Sequence, residues 1–113
     1  MLEREDLREL RARARRLPVS EPVLDYVTRL ARASRELPRA RLGASPRGAV
    51  ALLVASRARA ALRGSEWLSP DDVKAVARPV LRHRLLLRPE AELEGATPDD
   101  LVDELLGQVE VPR

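Results

Sequence analysis

Gly43-Ala44-Ser45-Pro46-Arg47-Gly48-Ala49-Val50-Ala51-Leu52-Leu53-Val54-Ala55 is the stretch from which the fold can be read. Ser45-Pro46 is a helix start: the hydroxyl sits at the N-cap, and proline takes the first helical position, where its missing N–H has no intrahelical partner to lose. From Ala49 to Ala55 the helix is apolar on every side for two turns, which predicts a central helix buried by its neighbours. Its alanines let those neighbours come close, and Gly64 after Arg63 supplies a stop.

Working upstream, Leu7, Leu10, Ala14 and Leu17 recur at helical spacing and predict a first helix over roughly residues 3–16, ended by Pro18. Ser20 caps a second helix, with Val19 and Leu24 as a hydrophobic staple and a stripe of Val23, Val27, Leu30 and Ala31 running to about Glu36. Pro38 closes it, and residues 37–44 read as a loop. Downstream, Ser69-Pro70-Asp71-Asp72 and Thr97-Pro98-Asp99-Asp100 are the same start signal twice, a hydroxyl cap, a proline and two acids facing the positive end of the helix dipole. Leu68 and Val73 staple the first of these helices, whose stripe is Val73, Val76, Ala77, Val80 and Leu81. Leu101, Val102, Leu105 and Leu106 face inward from the second. Pro79 is expected to kink or divide its helix near Arg78. Residues 84–88 read as extended, beside Glu66 to Leu68 as a two-residue bridge. The fold class is therefore all-α, a bundle of about five helices with at most one very short strand pair, and residues 1–113 form a single domain.

Composition narrows the chemistry. The chain has 113 residues, 44% hydrophobic and 35% charged, with no cysteine. Thiol catalysis, thiolate metal sites and disulfide scaffolds are excluded. One histidine leaves too few ligands for a zinc or iron site unless carboxylates supply all the others. The longest uncharged apolar run is the seven residues Ala49 to Ala55, against the roughly 20 that a bilayer span requires. With no secretory h-region at its start, the chain reads as soluble and cytoplasmic. Phe is absent and Trp67 and Tyr26 are the only aromatics, so the core must be built from Leu, Val and Ala.

Charge is unevenly distributed. Residues 29–63 carry nine arginines against Glu36 alone, a net +8, and residues 89–113 carry eight acids against Arg113, a net −7. Such a partition fits either a surface that meets polyanions or two surfaces of opposite sign that meet each other; solvated helix faces are the plainer account. Without aromatics among the arginines, stacking on single-stranded bases is disfavoured, while duplex binding through phosphates stays open. The acids of 89–104 read as a solvated face.

Arg47 draws attention because a cation in the first turn of a helix opposes the macrodipole, typically at a cost of about 0.3–1 kcal/mol. That placement makes sense if the free N–H groups and the guanidinium converge on one anion, with phosphate the natural candidate. The alternative is a surface arginine bonded to a carbonyl or an acid. No phosphate loop ending in Gly-Lys-Ser/Thr occurs, so the chain cannot cradle a nucleoside triphosphate alone. His83, between Arg82 and Arg84, reads as a structural hydrogen-bond donor rather than a base.

The segments Pro18-Val19-Ser20, Val23-Leu24-Asp25-Tyr26, Arg41-Leu42-Gly43-Ala44-Ser45-Pro46-Arg47, Ser69-Pro70-Asp71-Asp72-Val73, Val80-Leu81-Arg82-His83-Arg84-Leu85 and Ala91-Glu92-Leu93-Glu94-Gly95 together resemble the C-terminal lid of MoxR-type AAA+ ATPases. The resemblance covers nearly the whole chain in the family's order. The Walker A and B motifs, sensor 1 and arginine finger of that family are absent here, so the chain resembles an excised lid. The resemblance implies that Gly43, Ser45, Pro46 and Arg47 belong to the sensor 2 motif, with Arg47 reaching the γ-phosphate of ATP. It implies that ATP and Mg²⁺ are held mainly by a core domain of the same chain, that the parent hydrolyses ATP while the isolated lid does not, and that neighbouring subunits form a ring. It further implies a chaperone-like remodelling role, often beside a von Willebrand factor A partner. Whether Arg47 serves its own subunit's nucleotide or a neighbour's stays open. In a ring, the basic middle and acidic tail would suit head-to-tail neighbours, and reversing Glu90, Glu92 and Glu94 should weaken assembly. A small basic helical DNA-binding module is the alternative reading, and a helical protein-interaction adaptor a third.

Overall fold

The computed structural model describes residues 4–112. Among these, six helices and one two-stranded sheet follow in order: α1 (Arg4–Arg16), α2 (Glu21–Ser34), β1 (Ala40–Leu42), α3 (Pro46–Leu62), α4 (Pro70–Leu81), β2 (Leu86–Leu87), α5 (Pro89–Leu93) and α6 (Pro98–Gln108). The expected all-α bundle is present, with the short α5 as the helix that periodicity could not reveal. Position 3, the expected start of the first helix, lies outside the described residues.

The helix starts follow their capping chemistry. Val23 N–H donates to Ser20 Oγ at 3.4 Å. Ser69 and Thr97 each open a capping box: Asp72 N–H donates to Ser69 Oγ at 3.4 Å and Asp100 N–H to Thr97 Oγ1 at 3.2 Å, and each aspartate accepts from the cap residue's own N–H in return. Two helix ends need glycine. Gly64 and Gly95 adopt φ of +73° and +91°, and each end is closed by the paired bonds of a Schellman turn, Ser65 N–H to the Ala60 carbonyl and Ala96 N–H to the Ala91 carbonyl among them.

α3 is the central helix, with α1, α2 and α4 packed around it. Tyr26, Leu30, Leu52, Val73, Leu85, Leu101, Val102 and Leu105 form the innermost core, none more than 2% exposed. The expectation that α3 is buried on all sides fails on one face, where Val50 and Val54 are 60% and 61% exposed. The apolar stripe of α1 is likewise only partly covered: α1 buries no residue, Leu7 is exposed, and the buried member of the stripe is Leu17, beyond the helix end. Of the α2 staple, Val19 packs against the core while Leu24 is left half exposed.

The sheet corrects two further expectations. Residues 40–42, read as loop, form a strand, and its antiparallel partner is Leu86–Leu87, with Ala40 opposite Leu87 and Leu42 opposite Leu86. Leu68, expected beside the extended segment, instead donates its N–H to the Pro18 carbonyl at 3.2 Å. Pro79 does not divide α4, which continues to Leu81. Proline near the last turn removes a single donor there, and its neighbours hold the helix to its end.

Part of the charge is paired within the chain. Arg78, Arg82 and Arg39 pair with Asp103, Asp99 and Glu104 at 2.6, 3.2 and 3.0 Å. Part of the acidic tail is therefore tied to the basic middle of the same chain, rather than forming the purely solvated face expected. The buried ion pair is at the junction of α3 and α4. Asp72, wholly buried, accepts from Arg59 Nη1 at 2.6 Å and from Arg63 Nε and Nη2 at 2.9 and 2.8 Å. Burial alone would raise its pKa; the hydrogen bonds from Arg63, the Ser69 amide, Arg59 and the Ser69 hydroxyl outweigh burial and hold it at about 2. No helix of the described residues is long and apolar enough to cross a membrane.

Candidate functional site

The segment from Gly43 to Gly48 is held from behind by the end of α2. Ala44, buried, donates its N–H to Ser34 Oγ at 2.9 Å, and Ser34 Oγ donates to the Ala31 carbonyl at 2.6 Å. Arg35 Nε donates to the Ala44 carbonyl at 3.0 Å. Both backbone polar groups of Ala44 are thereby satisfied by one end of one helix. Gly43 is what allows this approach: a β-carbon there would lie 2.6 Å from the Ser34 carbonyl carbon and from Arg35 N and Cα. Those are backbone atoms that cannot rotate away.

With the loop so fixed, α3 begins at a defined place. Ser45 occupies the N-cap with extended backbone, as its sequence position predicts, and its carbonyl accepts from Gly48 N–H at 2.8 Å and Ala49 N–H at 3.2 Å. Its hydroxyl makes no capping bond. The first turn therefore keeps donor capacity for something outside the helix.

Of the residues assigned from sequence, Gly43 is half buried, and Ser45, Pro46 and Arg47 are exposed. Arg47 makes no hydrogen bond or ion pair with any described residue, and so stands neither bonded to a carbonyl nor paired with an acid. Its neighbours on α3 are apolar: Arg47, Pro46, Val50, Ala51 and Val54 line an open trough of about 430 Å³. A lone cation at one end of an apolar strip suits a partner surface that is apolar and ends in an anion.

Sequence reasoning missed three participants. Ser34 and Arg35 carried no signal, because a serine and an arginine at a helix end are ordinary. Arg84 carried no signal beyond its place beside His83, yet the space over Gly48 is bounded by Arg84 Cδ, 3.4 Å from where a β-carbon would be. His83, expected to be a structural donor, is exposed and makes no hydrogen bond with described residues.

Comparison with known proteins identifies the family and the fold. Residues 32–105 match the AAA lid domain model. The chain is 32% identical over 112 residues to the uncharacterized protein YeaC of Bacillus subtilis, covering 99% of this chain and 35% of that protein. It is 32% identical over 104 residues to chaperone MoxR1 of Mycobacterium tuberculosis, covering 84% and 28% respectively. Over 54 residues, 48% of this chain and 16% of the relative, it is 48% identical to protein MoxR of Methylorubrum extorquens. The chain thus spans about a third or less of the length of these curated relatives. A crystal structure described as that of a "putative ATPase" from Cytophaga hutchinsonii superposes with a TM-score of 0.88 at 29% identity, over 96% of this chain and 36% of that one. The loop that presents Arg47 lies inside the matched region, and the chain belongs to the AAA lid domain family, as a lid of the MoxR-type AAA+ ATPases.

Proposed function

We propose that Arg47 is the sensor 2 arginine of an ATP-hydrolysing parent, donating to the γ-phosphate of ATP that a core domain of the same polypeptide holds with Mg²⁺. The observation that carries this reading is that Arg47 projects from the first turn of α3, exposed and without a partner among the described residues. A cation kept unpaired at the positive end of a helix dipole is stabilised by an anion from outside. The residues present fit one edge of a triphosphate and no more: Gly43 fixes the loop, Ser45 and Pro46 start the helix, and Arg47 supplies the charge. ATP supplies the transferable γ-phosphoryl group, and the core supplies the rest of its binding site.

In this reading the apolar trough beside Arg47 is covered by the core. While the γ-phosphate is present, Arg47 holds lid to core; after its release that contact is lost and the lid can rotate. Chaperone-like remodelling belongs to the same proposal on the strength of the name of chaperone MoxR1; a cytoplasmic location, ring assembly and a von Willebrand factor A partner belong to it as what the family resemblance implies. Glu90, Glu92 and Glu94, exposed and with no side-chain partner among the described residues, are tail acids free to meet a neighbouring subunit.

The test is ATP turnover by a polypeptide carrying this lid with its core. Arg47→Ala should impair turnover severely, and the same change in the isolated domain should shift stability by no more than about 0.5 kcal/mol, as usual for an exposed side chain. Unchanged turnover would overturn the reading.

A further inference from the structure

α5 and α1 carry exposed surfaces that match each other in shape and in charge. α5 is anchored by one residue: Ala91 is 4% exposed, and Gly95, at φ +91°, lets Ala96 N–H close back on the Ala91 carbonyl at 3.0 Å. Each helical residue turns about 100°, so a side chain two positions after a buried one faces away from the core. Leu93 is accordingly turned out, and at 89% it is the most exposed large apolar side chain described. Around the helix it lies between Glu92 on one side and Glu90 and Glu94 on the other. The nearest cation in sequence, Arg88, is engaged elsewhere, its Nε donating to the Pro38 carbonyl at 2.9 Å. The result is a leucine knob ringed by three carboxylates.

α1 carries the counterpart. Arg4, Leu7, Arg8 and Arg11 line an open groove of about 480 Å³, a size that takes a small ligand. Their spacing of i, i+3, i+4 and i+7 is one face of the helix, whereas Glu5 and Glu9 fall on another. Leu7 is exposed in this groove, and α1 buries no residue of its own. Each surface also stacks like charges one turn apart, Arg4 with Arg8 and Glu90 with Glu94, an arrangement unfavourable to a helix until opposite charge meets it. Within one chain α1 packs on α3, and the exposure of Leu93 means that it fills no groove of its own copy.

We propose that the α1 groove receives α5 of a second copy of this chain, Leu93 entering beside Leu7 while Glu90, Glu92 and Glu94 meet Arg4, Arg8 and Arg11. Charge complementarity selects this occupant: the groove is apolar with basic flanks, and α5 is apolar with acidic flanks. Knob and groove are different surfaces, so the contact is heterologous. Each copy offers its knob to one neighbour and its groove to the next, a pattern that closes into a ring when the rotation permits. The inference rests on the proposed assembly of neighbouring copies, names the contact between their lids, and is independent of Arg47.

The chain has no cysteine, which allows the contact to be trapped. Arg8→Cys and Glu92→Cys variants of the 113-residue chain are mixed and mildly oxidised. The mixture should give a disulfide-linked dimer with one copy of each, and either variant alone about tenfold less, because a heterologous contact never brings groove to groove or knob to knob. Adding Leu93→Ser to the Glu92→Cys chain should cut the yield severalfold, since the knob then has little apolar surface to bury. Sedimentation of the native sequence should show association that grows with concentration and weakens near 1 M salt, where the screening length is about 3 Å. Reversing Arg4, Arg8 and Arg11 to Glu, or Glu90, Glu92 and Glu94 to Arg, should abolish it, and mixing the two reversed variants should restore it. Thermal unfolding checks that each variant is folded. The contact is overturned if the native chain stays monomeric up to about 1 mM, if like variants cross-link as well as the mixed pair, or if the two reversed variants stay apart when mixed; the groove then belongs to another occupant, such as the core. The mass of a polypeptide that contains the core judges the assembly reading separately: rings that persist with either reversal overturn this contact alone, and a native monomer overturns the ring.

Discussion

Ser34 and Ala44 are joined through one buried hydroxyl that works in both directions: Ser34 Oγ accepts the Ala44 N–H at 2.9 Å and donates to the Ala31 carbonyl at 2.6 Å. The last turn of α2 thereby fixes the loop from which α3, and with it Arg47, departs.

Ser34→Ala should be costly for its size. It removes a hydroxyl that is completely buried and leaves the Ala44 amide without an acceptor, a penalty of about 1–3 kcal/mol. Urea denaturation should show that loss, and hydrogen exchange should quicken at the Ala44 amide more than at amides of α6.

Gly43→Ala should destabilise through the same contact by a different route. The added β-carbon would sit 2.6 Å from backbone atoms of Ser34 and Arg35, so the loop must back away. A cost of about 1–3 kcal/mol is expected for such overpacking. Thermal unfolding of Gly43→Ala beside Gly107→Ala is the comparison, since a β-carbon at Gly107 meets nothing within 4 Å.

Asp72→Asn should reveal a pH-dependent contribution. The carboxyl is held at about 2 against an ordinary 3.8, so its folded pKa lies below the unfolded one. The stabilisation, about 2 kcal/mol, is complete above about pH 4 and disappears as pH falls toward 2. Denaturation curves of the native sequence and Asp72→Asn should differ at pH 7 and converge near pH 2.

Val50→Ser combined with Val54→Ser should separate folding from docking. Both side chains are about 60% exposed, so the isolated domain should lose no more than about 0.5 kcal/mol per site. In a polypeptide that contains the core, the same pair should raise protease sensitivity between core and lid. Equal proteolysis of the native and substituted forms would argue against that face as the docking surface.

Much of the fold was legible in the order of residues because its signals are local. A hydroxyl, a proline and two acids in succession set the starts of α4 and α6 through bonds spanning three residues, and helical spacing placed Val73, Ala77, Leu101 and Leu105 in the core. The Gly43 to Arg47 string likewise marked the start of α3. Packing between distant segments was not legible. Periodicity made α3 apolar all round, but how many neighbours surround it depends on where α1 and α2 cross it, and they leave Val50 and Val54 bare. β2 found β1 rather than residues 66–68 because Leu68 is already bonded to Pro18. Asp99, Asp103 and Glu104 look like solvated acids in sequence and meet Arg82, Arg78 and Arg39 only once α6 has docked. The neighbourhood of Arg47 follows the same division: short-range chemistry along the chain puts an arginine at a helix start, whereas the support of Ser34 and the approach of Arg84 exist only when segments ten and more residues apart have packed.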